Sequence, residues 1–406
     1  MTNETKQQNQ SLRPRLVTGI TLALALSLLI VSVFLPKNNE HLDFATPTDT
    51  YTDTYTDLVE TFTNVVSSVE SSNVSSVAET SSVVSTVSTA PPVVETVNNI
   101  INYKSPQTYS MMWKGIENLC KEYPEILSYS VYGKSTKGRS LPLVKMGTGS
   151  KKGLIVAGIH GNEHLTTAYA LRCIEEYCRA YKNGGKYGNY NLKDLFAKYT
   201  LYVVPNCNPD GSEIAYNGDT PLVTIRDGLN RDEYKANANG VNLNRNFPFF
   251  FEGIVEYGTT PSNQNSKGPS GGSEIETKEL MALCNENSFA FMLSLHVRGN
   301  ITYWSDIITK DAGGITSGLC SKIQNVTGIV KVSSPTSKPS SYGGGFENWF
   351  RYTYQRPGIC VELMPSYDSE EFHVHGNSGI NERYFDSTTV WSKTKYLFAL
   401  TMDYVS

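Results

Sequence analysis

The sequence predicts a large α/β domain over residues 104–406, set behind an N-terminal segment of different character. Two observations carry this. Short apolar runs bounded by Gly, Pro and Asn alternate with stretches of helical apolar spacing, as expected of strands interleaved with helices. The charge is also divided: the formal −4 is concentrated in residues 38–103, which hold nine acids and no Lys or Arg, leaving the remainder close to neutral. A neutral region of this length suits one extended core. It excludes a nucleic-acid partner, which needs a concentrated basic footprint.

Taken in order, residues 1–15 form a short tail with three basic side chains, Lys6, Arg13 and Arg15. Residues 16–35, LVTGITLALALSLLIVSVFL, are an uncharged run of 20, long enough to cross a bilayer as a helix. No small-x-small cleavage site follows, so the expectation is an uncleaved membrane anchor with its basic end cytoplasmic and the rest of the chain outside. A cleaved signal and a secreted protein are the alternative. Residues 36–103 are rich in Ser, Thr, Val and acid and poor in Leu and aromatics, which reads as a flexible spacer. The seven cysteines include no Cys-x-x-Cys pair; an odd set argues that three or more are buried thiols.

Within the domain, strands are expected at 153–158, 200–205, 289–295 and 357–363, and helices at 165–181, 274–287 and 388–404, with NCNPDG (206–211) read as a loop. The polar residues of interest stand at the ends of these strands, where open α/β sheets bind ligands. His160 and Glu163 follow the first strand in GIHGNEH, and His296 ends the strand FMLSLH. Two imidazoles and a carboxylate suit a catalytic zinc site with one position left for water. Taken singly, His160 and Glu163 could decorate a surface turn, and His296 could be a satisfied core histidine. Asn244 and Arg245, in GVNLNRNFP, offer donors matched to a carboxylate or, alternatively, a loop salt bridge. Glu362, in PGICVELMP, is an acid inside an apolar strand, where it needs a partner or a task. Arg298, two residues past His296, is either a second carboxylate contact or a plain surface arginine.

The ordered set YPEIL, GKSTKGRSLPLVKMG, HGNEH, NPDG, ANGVNLNRNF, SLH and VEL closely resembles the zinc carboxypeptidase family. GGGFENWF and ERYFDSTTVW look closest to its bacterial branch of γ-D-glutamyl-diaminopimelate peptidases. The resemblance implies a central mixed sheet flanked by helices on both faces and one zinc ion per chain, held by His160, Glu163 and His296. It implies Glu362 as general base and Asn244 with Arg245 as the clamp on the substrate's terminal carboxylate. It places Lys235 (in YKANANG) where the family carries a carbonyl-polarising arginine, a point charge in place of a planar fork. Ungapped matching sets Ser340 at the position of the family's mobile tyrosine, with Tyr342 as a nearby substitute. The expected function is zinc-dependent hydrolysis of peptide or muropeptide amide bonds by a monomeric enzyme. A general metallocarboxypeptidase and a catalytically silent binding module are the alternatives.

Overall fold

The computed structural model describes residues 98–103, 105–219, 225, 228–332, 342–363 and 390–406. The expected anchor (16–35), nearly all of the spacer, Ser340 and most of ERYFDSTTVW lie outside the described residues. No helix among the described residues is long and apolar enough to cross a membrane.

The strands are β1 (Leu127–Lys134), β2 (Ser140–Met146), β3 (Lys151–Val156), the short pair β4 (Lys186–Tyr187) and β5 (Tyr190–Asn191), β6 (Tyr199–Val204), β7 (Phe289–His296), β8 (Ile301–Tyr303), β9 (Val330–Lys331) and β10 (Gly358–Glu362). All but β4 and β5 join one mixed sheet in the order β1-β2-β6-β3-β7-β10-β8-β9. Its middle, β6-β3-β7-β10, is parallel, while β2 runs against both β1 and β6, and β8 against β10.

The helices are α1 (Tyr109–Glu122), α2 (His164–Lys182), α3 (Leu192–Lys198), α4 (Pro209–Asn217), α5 (Ile275–Asn285), α6 (Thr316–Thr327), α7 (Phe346–Tyr354), α8 (Val390–Thr394) and α9 (Leu397–Val405). They cover both sheet faces, as strand alternation shows. In β3, Ile155 packs into a core with residues of α1, α2, α3, α6 and α9, whereas Leu154 and Val156 point into a second core with α5 and α7. In β6, Leu201 and Val203 join the first core and Tyr202 and Val204 the second. Strands buried on both faces read as unbroken apolar runs, which is why β3, β6 and β7 were legible.

Two expectations are corrected. The stretch NCNPDG is a loop only as far as Asn208; Pro209 opens α4, with the Asn208 side chain accepting from Gly211 N at 3.0 Å. Asn at the cap and Pro at the first helical position are a strong start signal. The C-terminal helix is two helices broken at Lys395–Tyr396. Tyr177 and Tyr169 of α2 donate their hydroxyls to the carbonyls of Lys395 and Thr394, both at 2.8 Å, and Tyr177 accepts from Ala399 N at 3.2 Å. Backbone groups freed at the break are thus satisfied from another helix. All seven cysteines are free thiols, six of them buried, which fits the reading of cysteine as a small apolar residue here.

Candidate metal centre and substrate clamp

Strands β3, β7 and β10 are parallel, so their C-terminal ends share one edge of the sheet. Beyond β3 the chain turns sharply through Ala157–Glu163 before α2. Gly158 sits at φ 65°, and a Cβ there would lie 2.6 Å from Asn206 Oδ1, so only glycine fits. Thr166 then fixes the turn, accepting from Gly158 N at 3.0 Å and donating to Glu163 O at 2.8 Å. Asn208 holds the outer side: its amide donates to Ile159 O and Ala236 O, both at 3.1 Å.

The turn brings His160 and Glu163 against His296. Glu163 Oε1 lies 2.7 Å from His160 Nδ1, its Oε2 lies 3.3 Å from His296 Nδ1, and the two rings are 4.9 Å apart. All three residues are buried, and one ligand atom from each lies within 4.8 Å of the others. Tetrahedral zinc, with bonds of about 2.0–2.2 Å to nitrogen and oxygen, sets its donors roughly 3.3 Å apart, so this donor set fits the metal. Behind His296, Ser294 Oγ lies 2.9 Å from Nε2, an outer contact that fixes which nitrogen faces the cluster.

Electrostatics follow from burial. Burial lowers His160 to about 4, with Glu163 pulling the other way, so this ring is neutral near pH 7. Glu163 is held well below the carboxylate range: burial opposes its charge, but the two imidazoles outweigh it. His296 is raised, because Cys360 and Glu163 overcome the opposing effect of burial.

Glu362 is the ladder partner of His296 across the β7–β10 pair, so both side chains leave the same face of the sheet. Burial first, then Glu163 and Glu347, raise its carboxyl to about 7, against His296 and Lys235, which lower it. Its Oε2 is buried with no hydrogen-bond partner. Lys235 Nζ stands 3.7 Å from Glu163 Oε1, carried by a turn whose carbonyl accepts from Gly161 N at 3.2 Å. Asn244 and Arg245 lie on a short 3₁₀ turn, Leu243–Arg245. The Asn244 side-chain oxygen accepts from Phe346 N at 2.8 Å, tying the 3₁₀ turn to the start of α7. Arg245 donates to Asn244 O at 2.6 Å and stacks over Tyr257 at 4.7 Å, while its Nε is buried without a partner. No carboxylate pairs with Arg245 among the described residues. Arg298 is half-buried, and the following Gly299 packs on Glu362, where a Cβ would lie 3.3 Å from that residue's own Cβ.

His164 adjoins Glu163 in the sequence, but its ring lies edge-on to Tyr216 at 5.7 Å and is no part of the cluster. The Tyr342 hydroxyl is buried without a hydrogen-bond partner, and no contact joins it to the His–Glu–His cluster among the described residues. Sequence reasoning missed Ser294 and Cys360, though period-two alternation from His296 and Glu362 leads to both. It also passed over Glu347, a buried carboxylate in the first turn of α7.

A model of the zinc carboxypeptidase family matches residues 112–337. Over 275 residues the chain is 28% identical to γ-D-glutamyl-L-diamino acid endopeptidase 1 of Lysinibacillus sphaericus, covering 65% of this chain and 67% of that protein. It is 30% identical, also over 275 residues, to the uncharacterized protein YqgT of Bacillus subtilis, covering 63% and 69%. Its fold is similar to bovine thrombin-activatable fibrinolysis inhibitor in complex with tick carboxypeptidase inhibitor, with a TM-score of 0.58 at 17% identity over 75% of this chain and 98% of that one.

Proposed function

From the premise that this chain belongs to the zinc carboxypeptidase family and is a zinc metallopeptidase, we propose that it hydrolyses the amide bond next to a free carboxylate in peptidoglycan stem peptides of the γ-D-glutamyl–diamino acid type. The observation that carries the reading is the shared sheet edge. A His–Glu–His cluster there lies beside Glu362, an acid with an unpartnered oxygen, and among the described residues no carboxylate pairs with Arg245. Support for the substrate class comes from the likeness to the Lysinibacillus endopeptidase.

His160, Glu163 and His296 would hold one zinc ion, which when bound supplies Lewis acidity toward the scissile carbonyl and toward water. Arg245 and the Asn244 amide bind the terminal carboxylate and set the register of the peptide. Glu362, ionised, takes a proton from the attacking water and returns it to the departing amine. Lys235, a third exposed beside Glu163, faces the negative charge that develops on the carbonyl oxygen. Arg298 offers a contact for a further carboxylate on the substrate. We propose that the catalytic unit is a monomer and lies outside a membrane crossed by residues 16–35. The 36–103 spacer would give it a reach of roughly 40 to 50 Å if flexible. Release after cleavage is the alternative.

The test is an assay on two substrates, a muropeptide with a γ-D-glutamyl-diaminopimelate bond and an ordinary peptide with an apolar C-terminus, with zinc content measured on the same sample. Cleavage of the first is expected. Cleavage of only the second would make the protein a general metallocarboxypeptidase, and a zinc-loaded protein cleaving neither would return the silent-module reading.

A further inference from the structure

We propose that Tyr257 is a positioning residue for the clamp: its ring holds the Arg245 guanidinium in one plane, so that the fork meets the substrate carboxylate already oriented. This rests on the reading that Arg245 binds that carboxylate.

A guanidinium meets a carboxylate through its edge, where the N–H groups lie, and its two faces carry no donor. In Arg245 a face is covered and part of the edge is left over. Its Cζ stands 4.7 Å from the centre of the Tyr257 ring. Nη1 donates to Asn244 O at 2.6 Å, while Nε is buried without a partner. The group is therefore fixed by one contact on its face and one at a corner, and neither is an anion. A long side chain otherwise turns about several bonds, and ordering it at the moment of binding costs affinity. Stacking on an aromatic face supplies that order beforehand without consuming the donors a carboxylate needs. Tyr257 has no competing task in the interior: among the described residues its ring joins neither of the two sheet cores.

The backbone holds this ring in place through residues 264–267. On one side Asn242 N donates to Ser266 O at 2.8 Å and the Asn242 amide to Gln264 O at 3.0 Å, and Asn242 in turn caps the 3₁₀ turn that carries Arg245. On the other side Gly258 N donates to Asn265 O at 3.0 Å, and Lys267 N donates to Gly258 O at 2.8 Å. The clamp and the neighbour of Tyr257 are thus fastened to one short segment. Ahead of Tyr257 the buried Lys267 ammonium donates to Phe251 O at 3.0 Å and to Ile254 O at 2.8 Å. Tyr257 is pinned both before and after in the chain, and its half-buried ring is delivered to the face of Arg245. A lysine at position 245 could not use this arrangement, because an ammonium has no plane to set.

The test measures kcat and KM for the γ-D-glutamyl-diaminopimelate muropeptide and for an ordinary apolar peptide, each with a free C-terminal carboxylate and as the C-terminal amide. The wild-type enzyme should favour the acid by at least about tenfold, and Arg245→Ala should erase that preference. Tyr257→Leu should reduce the preference about three- to tenfold, through KM on the acid, with kcat and zinc content retained. Tyr257→Phe keeps the ring face and should hold the preference within about twofold of wild type. Should Tyr257→Leu not fold, pentafluorophenylalanine in place of Tyr257 serves instead. It has the shape of phenylalanine with the charge of the ring face reversed, so the acid preference should fall as with leucine. An acid-to-amide ratio unchanged by these substitutions, or equal losses on acid and amide, overturns the proposal and leaves the clamp standing, provided Arg245→Ala erases the preference. If Arg245→Ala leaves the preference intact, the clamp reading falls and the role of Tyr257 with it.

Discussion

Two buried groups of charge lie at opposite ends of β10, and they are built on opposite principles. Near its start, Asp306 accepts from Ile308 N, Thr309 N, the Thr309 hydroxyl, Asn348 and Arg351, and Arg351 spends its remaining donors on Thr309 and Gly358 O. At its last residue, Glu362 keeps a buried oxygen without a partner, as does Glu347 in the first turn of α7, and Arg245 keeps a buried nitrogen so. The first group is saturated and ties α7 to the sheet. The second is left incomplete, which is what the proposed substrate and metal roles around it call for. Saturation marks charge used for structure, and incompleteness marks charge reserved for a ligand.

Removing a zinc ligand should be the most damaging change at the incomplete end. His296→Ala leaves two ligands of three, so zinc content measured by atomic absorption should fall sharply and activity by about 10³-fold or more, as should treatment with a chelator. Full activity in metal-stripped protein would break the distinction drawn here. Glu362→Gln should come next, with zinc retained and turnover reduced by about 10² to 10⁴; near-normal kcat would remove Glu362 as base. At the saturated end the loss should appear as stability. Arg351→Met strands the Asp306 charge and should cost about 3 to 5 kcal/mol in a denaturant melt, while the folded fraction keeps its turnover. A smaller effect is expected for Arg245→Ala, with kcat/KM falling about 10- to 100-fold mainly through KM, because the clamp acts before the transition state.

The smallest effect is in pH. Burial opposes ionisation of Asp306, but its bonds to Thr309 and the Arg351 charge hold it below the ordinary aspartate value. Its unfolded form titrates near about 3.9. The stabilisation is therefore fully present above that pH and is lost as pH falls through the lower folded value. Asp306→Asn should flatten this part of the stability profile below about pH 4; an unchanged acid slope would show that other carboxylates dominate.

What was legible in the sequence follows the same divide. Strands β3, β6, β7 and β10 declare themselves because burial on both faces demands unbroken apolar runs, and His160, Glu163, His296 and Glu362 stand at their ends. Glu362 lies beyond the part matched by the family model, so its place rests on the ladder pairing with His296. The β1–β2 hairpin, α6 and α7 were not placed: β1 is a half-exposed edge strand, and α6 and α7 mix polar with apolar residues. The break at Lys395–Tyr396 depends on tyrosine hydroxyls more than 200 residues away in sequence, and no local signal reports it. Glu347 was overlooked for a related reason. Within FENWF it is an ordinary acid in a first helical turn, and only the tertiary fold shows that it lacks a partner.

The Asn208 amide has a consequence for how this enzyme can diversify. By donating to Ala236 O it closes residues 208–236 into a loop whose ends are joined at the floor of the metal turn. Extending such a loop adds only about 0.6 kcal/mol of closure entropy for each doubling of its length. Insertions after α4 can therefore accumulate while the Asn208–Ala236 junction beside Lys235 keeps its bond. Substrate range can drift along that rim with the chemistry beneath it held fixed.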